Sequence, residues 1–322
     1  QIKAAYDFVD KDTLRYDESA HGMQVLALAG INYTDSMVGA APGADFVLAR
    51  TENTYSETHL EELNWLKAME WADSVGVDII HSSLGYSLFD SLQGDYSYQD
   101  MDGRSTIITV AAERAAERGI FITNSAGNSG NDPWFYITAP CDGKNVLCVG
   151  AVDSFQVITA FSSRGPSADG RIKPDVVAMG GRNTIPNEQG ILRRGSGTSF
   201  SGPLVAGMVA CLKGAHPNKS NGQVFEAILQ SSDRYATPDN EYGFGLPDVL
   251  VADSILNKMP VLAIAKVQEL DVTVYPNPAR DYLQIRTEPG AELQITNLQG
   301  QVVLAKTLHN WVNFVNVKDL VR

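Results

Sequence analysis

The stretch GTSFSGP at residues 197–203 leads directly into an apolar run of helical spacing between Leu204 and Val209. This pattern predicts that Ser199 lies at the N-terminus of a helix. The glycines there allow another backbone to approach closely, and the free N–H groups and the helix dipole stabilise negative charge. The stretch therefore indicates a reactive serine, with a serine that merely caps a helix in a glycine-rich turn as the alternative.

A serine is a poor nucleophile unless a neighbouring base removes its proton, so the chain must supply a histidine. The best candidate is His21, because His21-Gly22 follows an acidic, polar loop and opens the apolar run from Val25 to Ala29. The other histidines lie in settings that favour a surface or structural role. They are His59, His81, His216 and His309.

The stretch NSAGNSG at residues 124–130 follows an apolar segment, residues 120–123, that reads as a buried strand. The side-chain amide of Asn128 is a candidate donor to an oxyanion. A donor aimed at a tetrahedral intermediate contributes roughly 3 kcal/mol of transition-state stabilisation. By itself the stretch indicates only a turn.

Helical and strand patterns alternate up to residue 257, which predicts an α/β fold with a mainly parallel sheet. From Val272 onward the apolar period becomes two, as in half-buried strands, and Gln299-Gly300 stands where a hairpin turn belongs. We therefore predict a domain over residues 1–257, a linker over 258–270 and a small β-sandwich-like domain over 271–322. That last domain ends without a closing strand, so we expect a truncated C-terminus.

Taken in order, HGM (21–23), SAGNSG (125–130) and GTSFSGP (197–203) resemble the motifs of the subtilisin-like serine proteases, a family with a three-layer α/β fold. Further matching stretches are APGA (41–44), SLG (83–85), FSSRGP (161–166) and DGRIKPD (169–175). The resemblance covers roughly residues 1–257. The chain departs from the family at Met23, where threonine is usual, and at Phe200, where methionine is usual.

The resemblance implies a nucleophile at Ser199, a general base at His21 and an oxyanion-hole side chain at Asn128. It also implies that Ser83, Leu84 and Gly85 bind substrate and wall the S1 pocket, with residues 128–141 on the other side. By the same resemblance Thr138 lines the floor of S1 near Cys141. Neither side chain is charged, so we expect an uncharged P1 residue.

The triad also needs a carboxylate that orients the histidine, and the family places it before the histidine at the end of a strand. The aspartates that precede His21 do not follow an apolar strand that leads into a small-residue turn. They are Asp7, Asp10, Asp12 and Asp17. We therefore expect the triad aspartate upstream of Gln1, in a segment that this chain lacks.

The C-terminal stretches VYPNPA (274–279), DYL (281–283) and ITNLQGQVV (295–303) resemble the sorting domain of proteins that the type IX secretion system of Bacteroidetes exports. That resemblance implies recognition by the outer-membrane secretion machinery and a location outside the cell or on its surface. A signal peptide upstream of Gln1 is expected on the same grounds.

The formal net charge of −13 disfavours nucleic acid and anionic membranes as partners.

The three cysteines form no Cys-x-x-Cys metal signature. Cys141 and Cys148 either form a disulfide across a short loop or stay reduced, and Cys211, in an apolar helical run, is expected to be buried. We expect a monomer that requires no cofactor. Calcium is common in the family, but no cluster in the sequence indicates a site.

Two functions remain open. The first is an active endopeptidase that acts on proteins or peptides, and the second is a catalytically weak scaffold that serves as a binding protein. A lipase-type hydrolase is disfavoured, because His21 before Ser199 reverses the order of that fold.

Overall fold

The computed structural model describes residues 1–12, 19–33, 35–90, 93–260, 272–275, 281–296 and 302–318. It divides into two compact units, Gln1–Leu262 and Ala263–Arg322. The helices of the first unit are α1 (His21–Gly30), α2 (His59–Val75), α3 (Ile107–Glu117), α4 (Thr198–Ala215), α5 (Asn221–Ser231) and α6 (Val249–Lys258). None of the described helices is long and apolar enough to cross a bilayer.

A four-stranded parallel sheet forms the centre of the first unit, with neighbouring strands in the order β5, β6, β7, β8. These strands are β5 (Ile79–Ser82), β6 (Phe121–Ser125), β7 (Val146–Val152) and β8 (Val176–Met179). Every residue of β6 and β7 is buried. Such fully buried strands are expected where helices cover both faces of a parallel sheet.

Alternate side chains of the sheet pack against different helices, which gives three layers. Ile122 and Val146 join a cluster with residues of α2 and α3, including Trp65 and Ile108. On the opposite face, Phe121, Leu147 and Val149 pack against residues of α4, α5 and α6. The predicted three-layer fold is confirmed.

Further strands of the first unit lie outside this sheet. They are β1 (Ile2–Asp7), β2 (Asn32–Tyr33), β3 (Met37–Val38), β4 (Phe46–Arg50), β9 (Asn183–Pro186) and β10 (Leu192–Gly195). The pair β1 and β4 is parallel, whereas β2 with β3 and β9 with β10 are antiparallel. The β9–β10 pair lies close to the start of α4, because Ile185 packs with Leu28 and Phe200.

The second unit consists of antiparallel strands among its described residues. They are β11 (Thr273–Tyr275), β12 (Tyr282–Arg286), β13 (Ala291–Thr296), β14 (Val302–Leu308) and β15 (Val312–Asn316). Strands β11, β12 and β15 form one sheet, and β13 pairs with β14. Side chains from both sheets, such as Ile285 and Leu308, share one apolar cluster. An all-β tail is confirmed, while the predicted turn at Gln299-Gly300 lies outside the described residues.

The structure settles both questions about the cysteines. Cys141 and Cys148 are joined in a disulfide, and both are fully buried. The expectation that Cys211 is buried is wrong, because its side chain is exposed on α4. Each helical residue turns by about 100°, so Cys211 points away from the buried side chains of its neighbours Val209 and Leu212.

Candidate active site

Ser199 is the second residue of α4, and the chain reaches it through Gly197, whose φ of 155° suits glycine. Its neighbours Thr198 and Phe200 are buried, whereas Ser199 is half-exposed. The turn is anchored to the sheet, because the backbone N–H of Gly197 donates to the carbonyl of Gly180 at 2.9 Å. The serine therefore lies half-exposed at the start of a mostly buried helix.

Asn128 follows β6 and reaches across to α4. Its side-chain oxygen accepts hydrogen bonds from the backbone N–H of Thr198 at 2.9 Å and from the Thr198 hydroxyl at 3.1 Å. A Cβ placed on Gly197 would lie 3.8 Å from the backbone nitrogen of Ser199 and from Oδ1 of Asn128, and 3.9 Å from Nδ2 of Asn128. The backbone nitrogen of Ser199 and the side-chain amide of Asn128 thus lie on the same side of Gly197.

His21 is the first residue of α1 and is half-buried. Its ring lies 6.3 Å from the ring of Phe200, the residue after Ser199. Burial lowers the pKa of His21 below its usual 6.5. The neutral form, which can accept a proton, is therefore favoured.

No carboxylate of the described residues is hydrogen-bonded to the ring of His21. Asp7 ends β1 fully buried, but its carboxylate lies 2.7 Å from Arg50, which is also 2.9 Å from Asp10. These two aspartates therefore form ion pairs with Arg50 and not with His21. Asp17 lies outside the described residues, and the orienting aspartate stays a prediction.

The segments predicted to bind substrate lie beside each other. Ser83, Leu84 and Gly85 follow β5, and the next residue, Tyr86, exchanges backbone hydrogen bonds of 2.9 and 3.1 Å with Ala139. Thr138 lies between two glycines: a Cβ on Gly85 would clash with its hydroxyl, and one on Gly127 would lie 3.1 Å from it. The hydroxyl of Thr138 is buried and has no hydrogen-bond partner among the described residues.

The sequence predicts surface or structural roles for the remaining four histidines. Three of them do not contact the residues described above for the candidate active site. His59 binds Glu62 and His216 binds Asp253, each at 2.7 Å, while His309 is exposed. His81 differs, because its Nε2 lies 3.0 Å from the hydroxyl of Ser83. The sequence offered one indication of this contact: residues 81 and 83 are two apart at the end of a strand, and alternate strand residues share a face.

Among the described residues, one carboxylate group has oxygens close enough to hold a cation: Glu52, Glu57 and Glu61, within 4.8 Å of one another. Burial, with the charges of Glu61, Glu52 and Asp90, raises the pKa of Glu57 to about 7. Acidic side chains often cluster without an ion, so this group is not assigned as a calcium site.

Two family profiles match the chain. The profile of the subtilase family matches residues 1–245, and that of the secretion system C-terminal sorting domain matches residues 273–321. The chain belongs to the subtilase family. The sorting domain marks it for export to the outside or the surface of the cell, as predicted.

Curated relatives include serine protease AprX and subtilisin E, both from Bacillus subtilis (strain 168). The first is 28% identical over 271 residues, covering 74% of this chain and 59% of the relative. The second is 29% identical over 257 residues, covering 78% of this chain and 60% of the relative. The chain thus spans about three fifths of the length of these relatives.

Solved structures support the fold. The protease domain of PatA, solved as a serine-to-alanine mutant, superimposes with a TM-score of 0.63 at 22% identity, covering 81% of this chain and 88% of that chain. The MycP3 protease from the type VII (ESX-3) secretion system superimposes with a TM-score of 0.62 at 21% identity, covering 78% and 77%. At these identities the similarity extends to the fold alone.

Proposed function

We propose that the chain is the catalytic part of an exported serine endopeptidase that cleaves proteins or peptides through an acyl-enzyme on Ser199. The observation that carries the proposal is that the backbone nitrogen of Ser199 and Nδ2 of Asn128 lie 3.8 and 3.9 Å from the same point beside Gly197. Such an arrangement suits an oxygen that becomes negatively charged during acyl transfer. A helix N-cap serine needs no such second donor.

In the proposed reaction, neutral His21 takes the proton of the Ser199 hydroxyl while the oxygen attacks the scissile carbonyl carbon. The backbone N–H of Ser199 and Nδ2 of Asn128 stabilise the resulting oxyanion. The intermediate collapses by breaking the C–N bond, and the imidazolium of His21 donates its proton to the leaving amine. A water molecule then repeats the sequence and releases the acid product.

Substrate selection is proposed to involve the segment 83–85 and Thr138. The segment follows β5 and would pair with the substrate backbone, and Thr138 lies between Gly85 and Gly127 at the predicted S1 pocket. The side chain of Thr138 is uncharged and fills the space between the two glycines. We therefore expect an uncharged P1 residue and expect bulky ones to be excluded.

The test is labelling with a fluorophosphonate probe, which reacts only with an activated serine. We expect the wild-type protein to be labelled and Ser199→Ala to be silent, with the label on the tryptic peptide that contains Ser199. Ser196→Ala is the matched control, because Ser196 is an exposed serine in the same loop. Absence of labelling in a full-length protein that unfolds cooperatively would overturn the proposal.

One observation favours a second candidate, a scaffold that binds peptides without cleaving them. The ring of His21 has no carboxylate partner among the described residues, and loss of a triad member leaves only residual catalysis. The binding protein is distinguished by capture of peptide ligands without probe labelling. The sorting domain and its proposed partner, the outer-membrane secretion machinery, are compatible with both functions.

A further inference from the structure

The helix that carries the nucleophile has an unusual gap in its hydrogen bonding. The backbone carbonyl of Ser199 would normally accept from the N–H four residues on, but that residue is Pro203, which lies inside α4 and has no N–H. The hydroxyl of Ser83 donates to this carbonyl instead, at 3.0 Å. A side chain from the end of β5 thus replaces a helical hydrogen bond at the nucleophile itself.

The same hydroxyl also contacts His81, whose Nε2 lies 3.0 Å from it. A hydroxyl has one proton, and a carbonyl can only accept. The Ser83 hydroxyl donates its proton to the carbonyl of Ser199. The hydrogen bond between His81 and Ser83 must therefore use a proton on Nε2 of His81. The Ser125 hydroxyl is no competing donor, because it lies 2.9 Å from the carbonyl of Thr198 and 3.4 Å from Ser83.

The other ring nitrogen completes the chain of hydrogen bonds. Nδ1 of His81 lies 2.9 Å from the hydroxyl of Thr123, whose alternative acceptor, the carbonyl of Ile80, is 3.5 Å away. In the neutral ring with its proton on Nε2, Nδ1 is an acceptor, and the Thr123 hydroxyl donates to it. The donors in this series of hydrogen bonds therefore all point towards the carbonyl of Ser199: the Thr123 hydroxyl, Nε2 of His81 and the Ser83 hydroxyl.

The surroundings keep His81 neutral and in place. Burial, together with the charge of His21, lowers the pKa of His81 to about 4, against the opposing effect of a hydrogen bond with the backbone of Thr123. Among the described residues, His21 is the titratable group that acts on His81 electrostatically. The ring abuts α4 at Gly202, where a Cβ would lie 2.5 Å from its Cε1. A larger residue at position 202 would push the ring off Ser83.

We propose that His81 is a positioning residue for the nucleophile: it donates a proton to the hydroxyl of Ser83 and so commits that hydroxyl to the backbone carbonyl of Ser199. This inference rests on the proposed endopeptidase function. The carbonyl and the side chain of Ser199 are attached to the same Cα, so a hydrogen bond that fixes the peptide plane after Ser199 also restrains the direction of its side chain. His81 therefore acts through Ser83 on the attacking oxygen, without contacting substrate.

The test compares two amide substitutions of similar polarity in the full-length protein. Glutamine places its amide nitrogen as many bonds from the backbone as Nε2 of histidine, whereas the shorter asparagine reaches only as far as Nδ1. We expect His81→Gln to label with the fluorophosphonate probe within about threefold of the wild-type rate and His81→Asn to label about tenfold more slowly, the scale of one lost hydrogen bond. The loss should appear in kcat with KM unchanged for a peptide substrate.

A second measurement does not depend on activity. Nitrogen NMR of the wild-type protein should show His81 as the neutral ring protonated on Nε2, with a titration midpoint near 4. A ring protonated on Nδ1, or equal labelling rates for the Gln and Asn variants, would overturn the inference. If the wild-type protein is not labelled at all, the endopeptidase proposal fails. The NMR measurement of which ring nitrogen of His81 carries the proton then still tests the inference about His81.

Discussion

The side-chain oxygen of Asn128 accepts a hydrogen bond from the backbone N–H of Thr198 at 2.9 Å, so the orientation of the amide is fixed by the residue that precedes Ser199. With its oxygen engaged, the amide presents Nδ2 to the space that the N–H of Ser199 also borders. A donor held in this way needs little reorganisation when negative charge develops.

Removal of that donor gives the first prediction. We expect Asn128→Ala to lower kcat by about 10²- to 10³-fold with little change in KM, because the donor acts mainly on the oxyanion. Peptide hydrolysis under saturating and subsaturating conditions measures both constants. Asn257→Ala is the control, since Asn257 lies on α6 and binds Asp253 at 3.2 Å. Equal losses in the two variants would contradict the assignment of Asn128.

The second prediction concerns Thr138 and the size of the P1 residue. Because its side chain fills the space between Gly85 and Gly127, we expect Thr138→Gly to raise kcat/KM for P1 leucine or phenylalanine relative to P1 alanine by about tenfold or more. Thr138→Val keeps the shape and should leave the preference unchanged. A peptide library read by mass spectrometry measures the ratios, and cleavage mainly after arginine or lysine would disagree with the proposed pocket.

The third prediction follows from the lowered pKa of His21. Protonation of His21 removes the base, so kcat/KM should fall as the pH falls, with a midpoint below the usual 6.5. Burial lowers the pKa of His21, and no carboxylate of the described residues raises it again by binding the ring. A pH profile measured with one uncharged substrate gives the midpoint. For the chain of residues 1–322, a midpoint at or above 6.5 would contradict this prediction. A longer protein that also carries the expected upstream aspartate should have a higher midpoint, because a carboxylate beside the ring stabilises the imidazolium.

The disulfide supplies a fourth prediction. Cys141 and Cys148 are 7 residues apart, and closing so short a loop in the unfolded chain corresponds to about 2 kcal/mol. We expect the double substitution of both cysteines by alanine to lower the free energy of unfolding by about that amount. Chemical denaturation provides the measurement, and Cys211→Ala, at the exposed cysteine, should have little effect. Equal stability of the double variant and the wild type would rule out this contribution.

The fifth prediction concerns Glu57 and the dependence of the folding stability on pH. Its pKa is about 7 in the folded chain against 4.5 for an unperturbed glutamate, so between these values the folded state binds more protons. Stability is therefore lost as the pH rises through this window. We expect Glu57→Gln to raise the Tm at about pH 8 and to leave it nearly unchanged at about pH 4. A lower Tm of the variant at the higher pH would reverse the expected sign.

The sequence predicted most of the central fold, because hydrophobic periodicity is local. The helix predicted from the apolar run between Leu204 and Val209 is part of α4, and the strand predicted over 120–123 is β6, displaced by two residues at its C-terminal end. Cys211 was wrongly placed, since an apolar run does not say which side of a helix faces the sheet. The pairing of Cys141 with Cys148 could not be decided, because it depends on how close a loop brings two segments.

The role that we propose for His81 could not be predicted from the sequence for a related reason. Its contacts join β5 to β6 and to α4, and these elements are far apart in sequence. A histidine in a strand gives no sign of which hydroxyl it meets until the strands are paired. The motif residues were found because the family resemblance supplied the long-range information that periodicity lacks.

The segment that carries Ser199, the proposed nucleophile, is held by groups from distant parts of the chain: Ser83 after β5, Asn128 after β6 and Gly180 after β8. None of these contacts forms within α4 alone, so a polypeptide whose sheet is still unassembled lacks this arrangement. For the proposed exported protease, this dependence would keep the enzyme inactive during synthesis, because the proposed active site forms only once the sheet is assembled.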